Sequence, residues 1–363
     1  MKKHRLLLES AVALLMAMSI SAPASTTYAA TEAALTSSTA VPTDQDATSY
    51  TAEEQATINK LQAEYEELVG SNNSISNIYS TIPSMAAPFS TGALTPETIQ
   101  KIVSWVNYYR ELSGLPAINS NTDSNDLAQI ASAVMAFAQS DPQTNQHGLK
   151  GTAQPQDISD LYWNRAILGT SQSDLYFGFP STLGSIVKEL IIDNTNIDGF
   201  DTGHRAWLLS PYLSKIGVGL AKADTGRTYA SLLVANTPDQ YNTPSQDVVT
   251  YPGSGVFPVE ELQDNKALPW SVAFAKDSDL VTDNTTITVT NLTNGTTGTV
   301  LPSYSGSQAY SKTVISFLPP TTLTINDHSE YKVTINGLNS NTMPSYSYTF
   351  KTFSENSSLN NSN

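Results

Sequence analysis

Two histidines, His147 and His204, are the residues best suited to do chemistry in this 363-residue chain. A neutral imidazole can ligate Zn²⁺ or a similar ion, and near neutral pH it also accepts and returns protons. His147 stands beside Gly148 and His204 beside Gly203, each in an expected loop of a helix-rich segment. Of the other two histidines, His4 lies in an N-terminal targeting pattern, and His328 belongs to a turn, Asn326-Asp327-His328, where a surface residue is expected. The chain has no cysteine, which excludes thiol catalysis, disulfide chemistry and Cys-based zinc sites. Aspartate and glutamate remain as companions for the imidazoles. His147 and His204 are 57 positions apart, and neither lies in a His-Glu-x-x-His helix. No Gly-x-Ser-x-Gly elbow and no Walker-type phosphate loop is present. Three readings follow: a metal or ligand cleft, an acid–base pair, or a hydrogen-bonded network that holds loops together.

The elements that must position these residues are marked by caps and periodicity. Thr95 is a suitable N-cap with Pro96 at the first helical position and Glu97 in the first turn. Ile99, Ile102, Val103 and Val106 form the apolar stripe of that helix, which Gly114 closes. A second helix follows Asp123 and Ser124, with Leu127, Ile130, Ala131, Val134 and Phe137 on one face, and Pro142 ends it just before His147. A third covers Leu183 to Asp193, and the runs 216–221 and 229–235 read as paired strands around an Asp-Thr-Gly turn. Helices followed by strands within one segment predict a layered α/β or α+β domain. Farther on, Trp270, Val272 and Phe274, then Ile287 and Val289, then Tyr346, Tyr348 and Phe350 alternate with smaller or polar residues. Short strands of this kind over 270–353 predict an all-β, immunoglobulin-like (Ig-like) sandwich.

The remainder is organised around these two domains. Lys2, Lys3 and Arg5, the apolar run Ala11 to Ile20 and the small residues up to Ala30 read as a cleaved signal peptide over 1–30. Residues 31–94 read as a low-complexity tether carrying a short helix at 51–70, whose Ile58, Leu61, Tyr65 and Leu68 fall at helical spacing. That stripe fits either a short coiled coil or a helix lying on its own domain. Residues 237–269 hold five prolines and no strong periodicity, a connector, and 354–363 a polar tail. The formal net charge is -15, which disfavours nucleic-acid partners, and no apolar run is long enough to span a bilayer.

From Gly203-His204-Arg205-Ala206-Trp207-Leu208-Leu209-Ser210-Pro211 into Lys215-Ile216-Gly217-Val218-Gly219 the chain resembles the CAP superfamily. This family joins cysteine-rich secretory proteins, antigens and pathogenesis-related proteins as SCP-like extracellular domains. The run is similar to the Gly-His-Arg-x-x-Leu-Leu-x-Pro of the bacterial secreted branch. Asn107-x-x-Arg110 with Gly114-Leu115-Pro116, and Ala131 to Ala138 followed by His147-Gly148, resemble the opening helix and first histidine in the same order. The likeness covers about Thr95 to Asn236, and it implies a three-layer α-β-α sandwich whose cleft holds two histidines and two acids. His147 and His204 fall on the histidine positions. Asp174, after Ser173, stands where the family has glutamate, and Asp193 takes the second acidic position with Leu190 replacing a tryptophan. Both acids are thus one methylene shorter. Glu189 is a stand-in about 40° away from Asp193 on an ideal helix.

The reading that follows is a secreted binding module, held as a domain of 95–236 and an Ig-like unit, leaning away from enzyme activity because no nucleophile is evident. Its tetrad His147, His204, Asp174 and Asp193 would take a divalent metal such as Zn²⁺ or a small ligand. The partner would be a lipid, cell-wall or host-surface component outside the cell. The alternatives are an extracellular hydrolase of peptides or cell-wall material, and a cell-surface adhesin or spacer.

Overall fold

The computed structural model describes residues 48–70, 73–145, 147–196, 199–263 and 267–356. The targeting segment 1–30, residues 31–47 of the tether and residues 357–363 of the tail lie outside the described residues.

Helix α1 (Ala52–Gly70) buries Ile58, Leu61 and Leu68, the stripe its spacing predicts. It lies on its own chain, so the apolar face that could have made a coiled coil is already covered. Tyr65 meets the rings of Trp105 and Tyr108, each at 5.9 Å, and Gln62 Nε2 donates to the Ser354 carbonyl at 2.7 Å. The segment after it forms a small pair, β1 (Tyr79–Thr81) with β2 (Ala93–Leu94).

Helix α2 (Pro96–Leu112) begins where its cap requires: Thr98 N donates to Thr95 Oγ1 at 3.1 Å, and Pro96 needs no N–H partner there. Strand β3 (Asn119–Ser120) leads into α3 (Thr122–Ala138), capped by Asn121 Oδ1. Two elements without an advance signal follow, α4 (Asp160–Ser171) and β4 (Ser173–Gly178). The apolar residues of α4 do not keep one face, and Leu161 stays 68% exposed. Next come α5 (Leu183–Ile192), α6 (Gly203–Leu208), β5 (Lys215–Lys222) and β6 (Thr228–Leu233). The strands form one sheet in the order β3-β5-β6-β4.

Alternation along β5 explains the layering. Ile216, Val218 and Leu220 join the core that holds α2 and α5, whereas Ala221 joins the one that holds α3 and α4. On that second face stand Gly217 and Gly219, and a Cβ at either would collide with Ser124 or Ala128 of α3. The Gly-Val-Gly run is therefore what lets α3 lie directly on the strand.

The C-terminal region is β-rich. Strands β7 (Val248–Tyr251) and β8 (Gly255–Pro258) arise inside the proline-rich stretch, where Pro252 and Pro258 sit at strand ends that need no ladder donor. They are followed by β9 (Trp270–Phe274), β10 (Thr286–Asn291), β11 (Thr297–Val300), β12 (Tyr304–Gln308), β13 (Ser311–Phe317), β14 (Glu330–Asn336) and β15 (Ser345–Phe353). One sheet runs β11-β10-β14-β15-β8 and the other β12-β13-β9-β7. Their inner faces meet through Trp270 against Phe350 and Phe274 against Tyr346, each pair 5.5 Å apart. The chain is thus mixed α/β with a β-rich C-terminal region, and a single buried cluster runs from α1 and α2 through to β15. No helix among the described residues is long and apolar enough to cross a membrane.

Candidate functional site

The four residues singled out by sequence line one cleft of about 1020 Å³, together with Glu189, Asp201 and Trp207. Each arrives on a different element. His147 stands exposed in the turn after α3. Asp174 is the second residue of β4 and is 3% exposed. Asp193 is not on α5, as the helical register had it; the helix ends at Ile192 and Asp193 caps it in the left-handed region, φ 55°. That cap, rather than helical phase, aims its carboxylate, so the 40° argument separating it from Glu189 does not apply. His204 is not in a loop either, but in the first turn of α6.

The cap places Asp193 under α6. His204 Nδ1 lies 2.8 Å from Asp193 Oδ1, and Arg205 N donates to Oδ2 at 3.2 Å. With Nδ1 held in this way, Nε2 is the imidazole nitrogen left for other work. Burial would lower the imidazole pKa, but the charge and hydrogen bond of Asp193, aided by Asp174 and Asp201, raise it to about 9. Asp174 goes the other way from an ordinary carboxylate: burial, with the Asp193 charge nearby, pushes it well up despite His204. Among the described residues its Oδ2 has no hydrogen-bond partner. The Tyr176 hydroxyl bonds Glu189 on the same side of the cleft.

Two buried arginines fix these elements. Arg205 donates to the carbonyls of Ile191 and Ile192 at the end of α5, to Pro269 O at 2.7 Å, and lies 4.0 Å from the Tyr251 ring centre. It satisfies carbonyls that the helix end leaves open and ties them to β9. Arg110 donates to Pro116, Leu208 and Ser210 carbonyls, while Asn107 brackets Ile118 with two 2.9 Å bonds. The recognisable motif residues are thus mainly backbone clamps around the two that face the cleft.

The opposite wall belongs to the C-terminal region. Tyr304, Ser307, Gln308 and Ala309, from β12 and its hairpin, line the cleft. Gln308 Nε2 donates to Asp201 Oδ2 at 3.2 Å, and its Oε1 is buried without a partner among the described residues. Sequence reasoning missed this wall, which lies about a hundred positions beyond the motif series and carries no local signal. Trp207 was within reach, being part of the quoted Gly-His-Arg run. His328 pairs with Asp327 at 3.0 Å, and its ring centroid is 5.5 Å from that of Tyr50. Among the described residues, no three His, Asp or Glu side chains converge as a ready metal set.

The family model described as CAP, cysteine-rich secretory protein family, matches residues 103–236. The chain therefore carries a CAP domain, in this case without any cysteine. That span contains α3 to α6, β4 to β6 and all four cleft residues drawn from the sequence. No curated protein matches the chain.

Proposed function

We propose that this chain is a secreted CAP-domain binding module of the bacterial branch, whose cleft takes an extracellular ligand while an Ig-like unit closes one side. The observation that carries the reading is the buried Asp174 Oδ2, which lacks a partner among the described residues and belongs to a residue lining a cleft of about 1020 Å³. A buried acceptor without a partner costs about 1–3 kcal/mol, a cost that a bound donor removes. Binding is preferred to hydrolysis because His204 pairs with Asp193 and, among the described residues, no hydroxyl hydrogen-bonds its imidazole. Trp207 in the cleft wall offers the readout. Adding peptidoglycan fragments, anionic or neutral vesicles and short peptides in turn should shift tryptophan emission for one class. The shift should vanish in Trp207→Phe. Unchanged emission with every class would sink the reading.

A divalent ion such as Zn²⁺ is the second reading, favoured by the free Nε2 that Asp193 leaves on His204. His204, Asp174 and His147 would hold it, and the ion would polarise a bound ligand oxygen. Taking the ion requires His204, whose pKa is raised to about 9, to shed its proton, so uptake should strengthen as pH rises. Calorimetric titration of Zn²⁺ into the protein, beside His147→Ala and His204→Ala, decides it: equal heats in all three would remove the metal from the site.

A further inference from the structure

Seven consecutive residues, 171–177, line the cleft. Side chains alternate between the two faces of a strand, so a cleft that meets consecutive residues is looking at a strand edge. Strand β4 is the outermost in its sheet and pairs with β6 alone. No strand among the described residues covers its other edge, and an open edge offers a row of backbone donors and acceptors to an added strand. Acidic side chains outnumber the two histidines in the same cleft. Asp174, Glu189, Asp193 and Asp201 line it, and no lysine or arginine does among its described lining residues. Two of its lining residues each carry a buried oxygen without a hydrogen-bond partner among the described residues, Asp174 Oδ2 on β4 and Gln308 Oε1 on β12. Both await a donor. The β12 wall is anchored, since Ser210 Oγ donates to Ala309 O at 2.9 Å and Tyr310 OH to Asn236 O at 3.1 Å. The Trp207 and Tyr310 rings pack edge to face at 5.1 Å beside it.

We propose that the cleft takes an extended segment of a partner polypeptide, added as a strand along the outer edge of β4, with a lysine or arginine side chain of that segment reaching Asp174 and Gln308. This rests on the binding-module reading and names the class of ligand. Backbone bonds along the edge give affinity to many sequences, and the two oxygens select the cation. The C-terminal region is then part of the recognition site rather than a spacer.

The test uses the whole protein and a labelled, capped pentapeptide, Thr-Val-Lys-Val-Thr. Two analogues accompany it: one with norleucine for lysine, the other N-methylated at alternate amides so that it cannot join a sheet. Fluorescence anisotropy should show the parent binding at least about tenfold more tightly than either analogue, the size expected for one charged hydrogen bond. Asp174→Asn, which keeps the side-chain shape, should bring the lysine and norleucine peptides to equal affinity. Gln308→Ala, on the other wall, should weaken the lysine peptide and leave the norleucine peptide unchanged. Equal binding of the N-methylated peptide would overturn strand addition, and equal binding of lysine and norleucine peptides by the unaltered protein would overturn the cation. If no peptide binds while peptidoglycan fragments or vesicles shift Trp207 emission, this inference fails and the binding-module reading stands. If no peptide binds and nothing shifts Trp207, both fail.

Discussion

At the scale of single residues, the cleft is governed by how Asp193 is held. A left-handed cap at the end of α5 turns its carboxylate toward His204 Nδ1 and Arg205 N. Removing the charge while keeping the shape, Asp193→Asn, should lower the His204 pKa from about 9. Burial would then act without its main counterweight, and the titration should move to 6.5 or below. Following the His204 ring protons by NMR against pH checks this. A pKa left near 9 would mean that Asp174 and Asp201 suffice. Arg205, beside it in sequence, faces away from the cleft and is 1% exposed. Adjacent motif residues therefore divide their work, one toward the cleft and one into the frame.

At the scale of elements, the contact between α3 and β5 is the tightest constraint that the motif series encodes. A methyl group on Gly219 would meet the Ala128 backbone, which cannot move without displacing the helix. Gly219→Ala should therefore cost on the order of 3 kcal/mol, the range for overpacking a closed interface. Urea unfolding measures it, and a loss below about 0.5 kcal/mol, as at an ordinary surface position, would show that α3 yields. The same elements show what sequence could supply. α2 and α3 were legible from Thr95, Pro96 and the apolar stripes, and β5 and β6 from their β-rich runs. α4 was not, because its helical face is only half covered, and β4 was not, because four of its residues in a row are buried and no alternation shows.

At the scale of the whole molecule, the α/β and β-rich regions share one buried cluster, and α1 crosses between them. One cooperative transition is expected by scanning calorimetry; two resolved peaks would show regions that unfold independently. A buried carboxyl group belongs to this junction. Glu355 accepts from Tyr108 OH at 2.9 Å, and burial with the neighbouring Glu261 charge raises its pKa to about 9. An acid raised in the folded state favours folding below its unfolded pKa, and that contribution is lost as pH climbs to the folded value. His204, raised to about 9, adds the same sign between 6.5 and 9. Stability should thus fall from pH 6.5 to 9, by at most about 1.4 kcal/mol per pH unit for each group. Glu355→Gln should flatten the slope in thermal melts, and an unchanged slope would assign it elsewhere. The sequence by itself determined the CAP domain, because caps, glycines and clamps are local requirements written in neighbouring positions, and it singled out four residues that line one cleft. Only the tertiary structure decided that Asp193 turns out of its helix, that β4 leaves an edge open, and that β12 walls the cleft. Those facts depend on which surfaces meet across a hundred residues, and no local pattern carries that information.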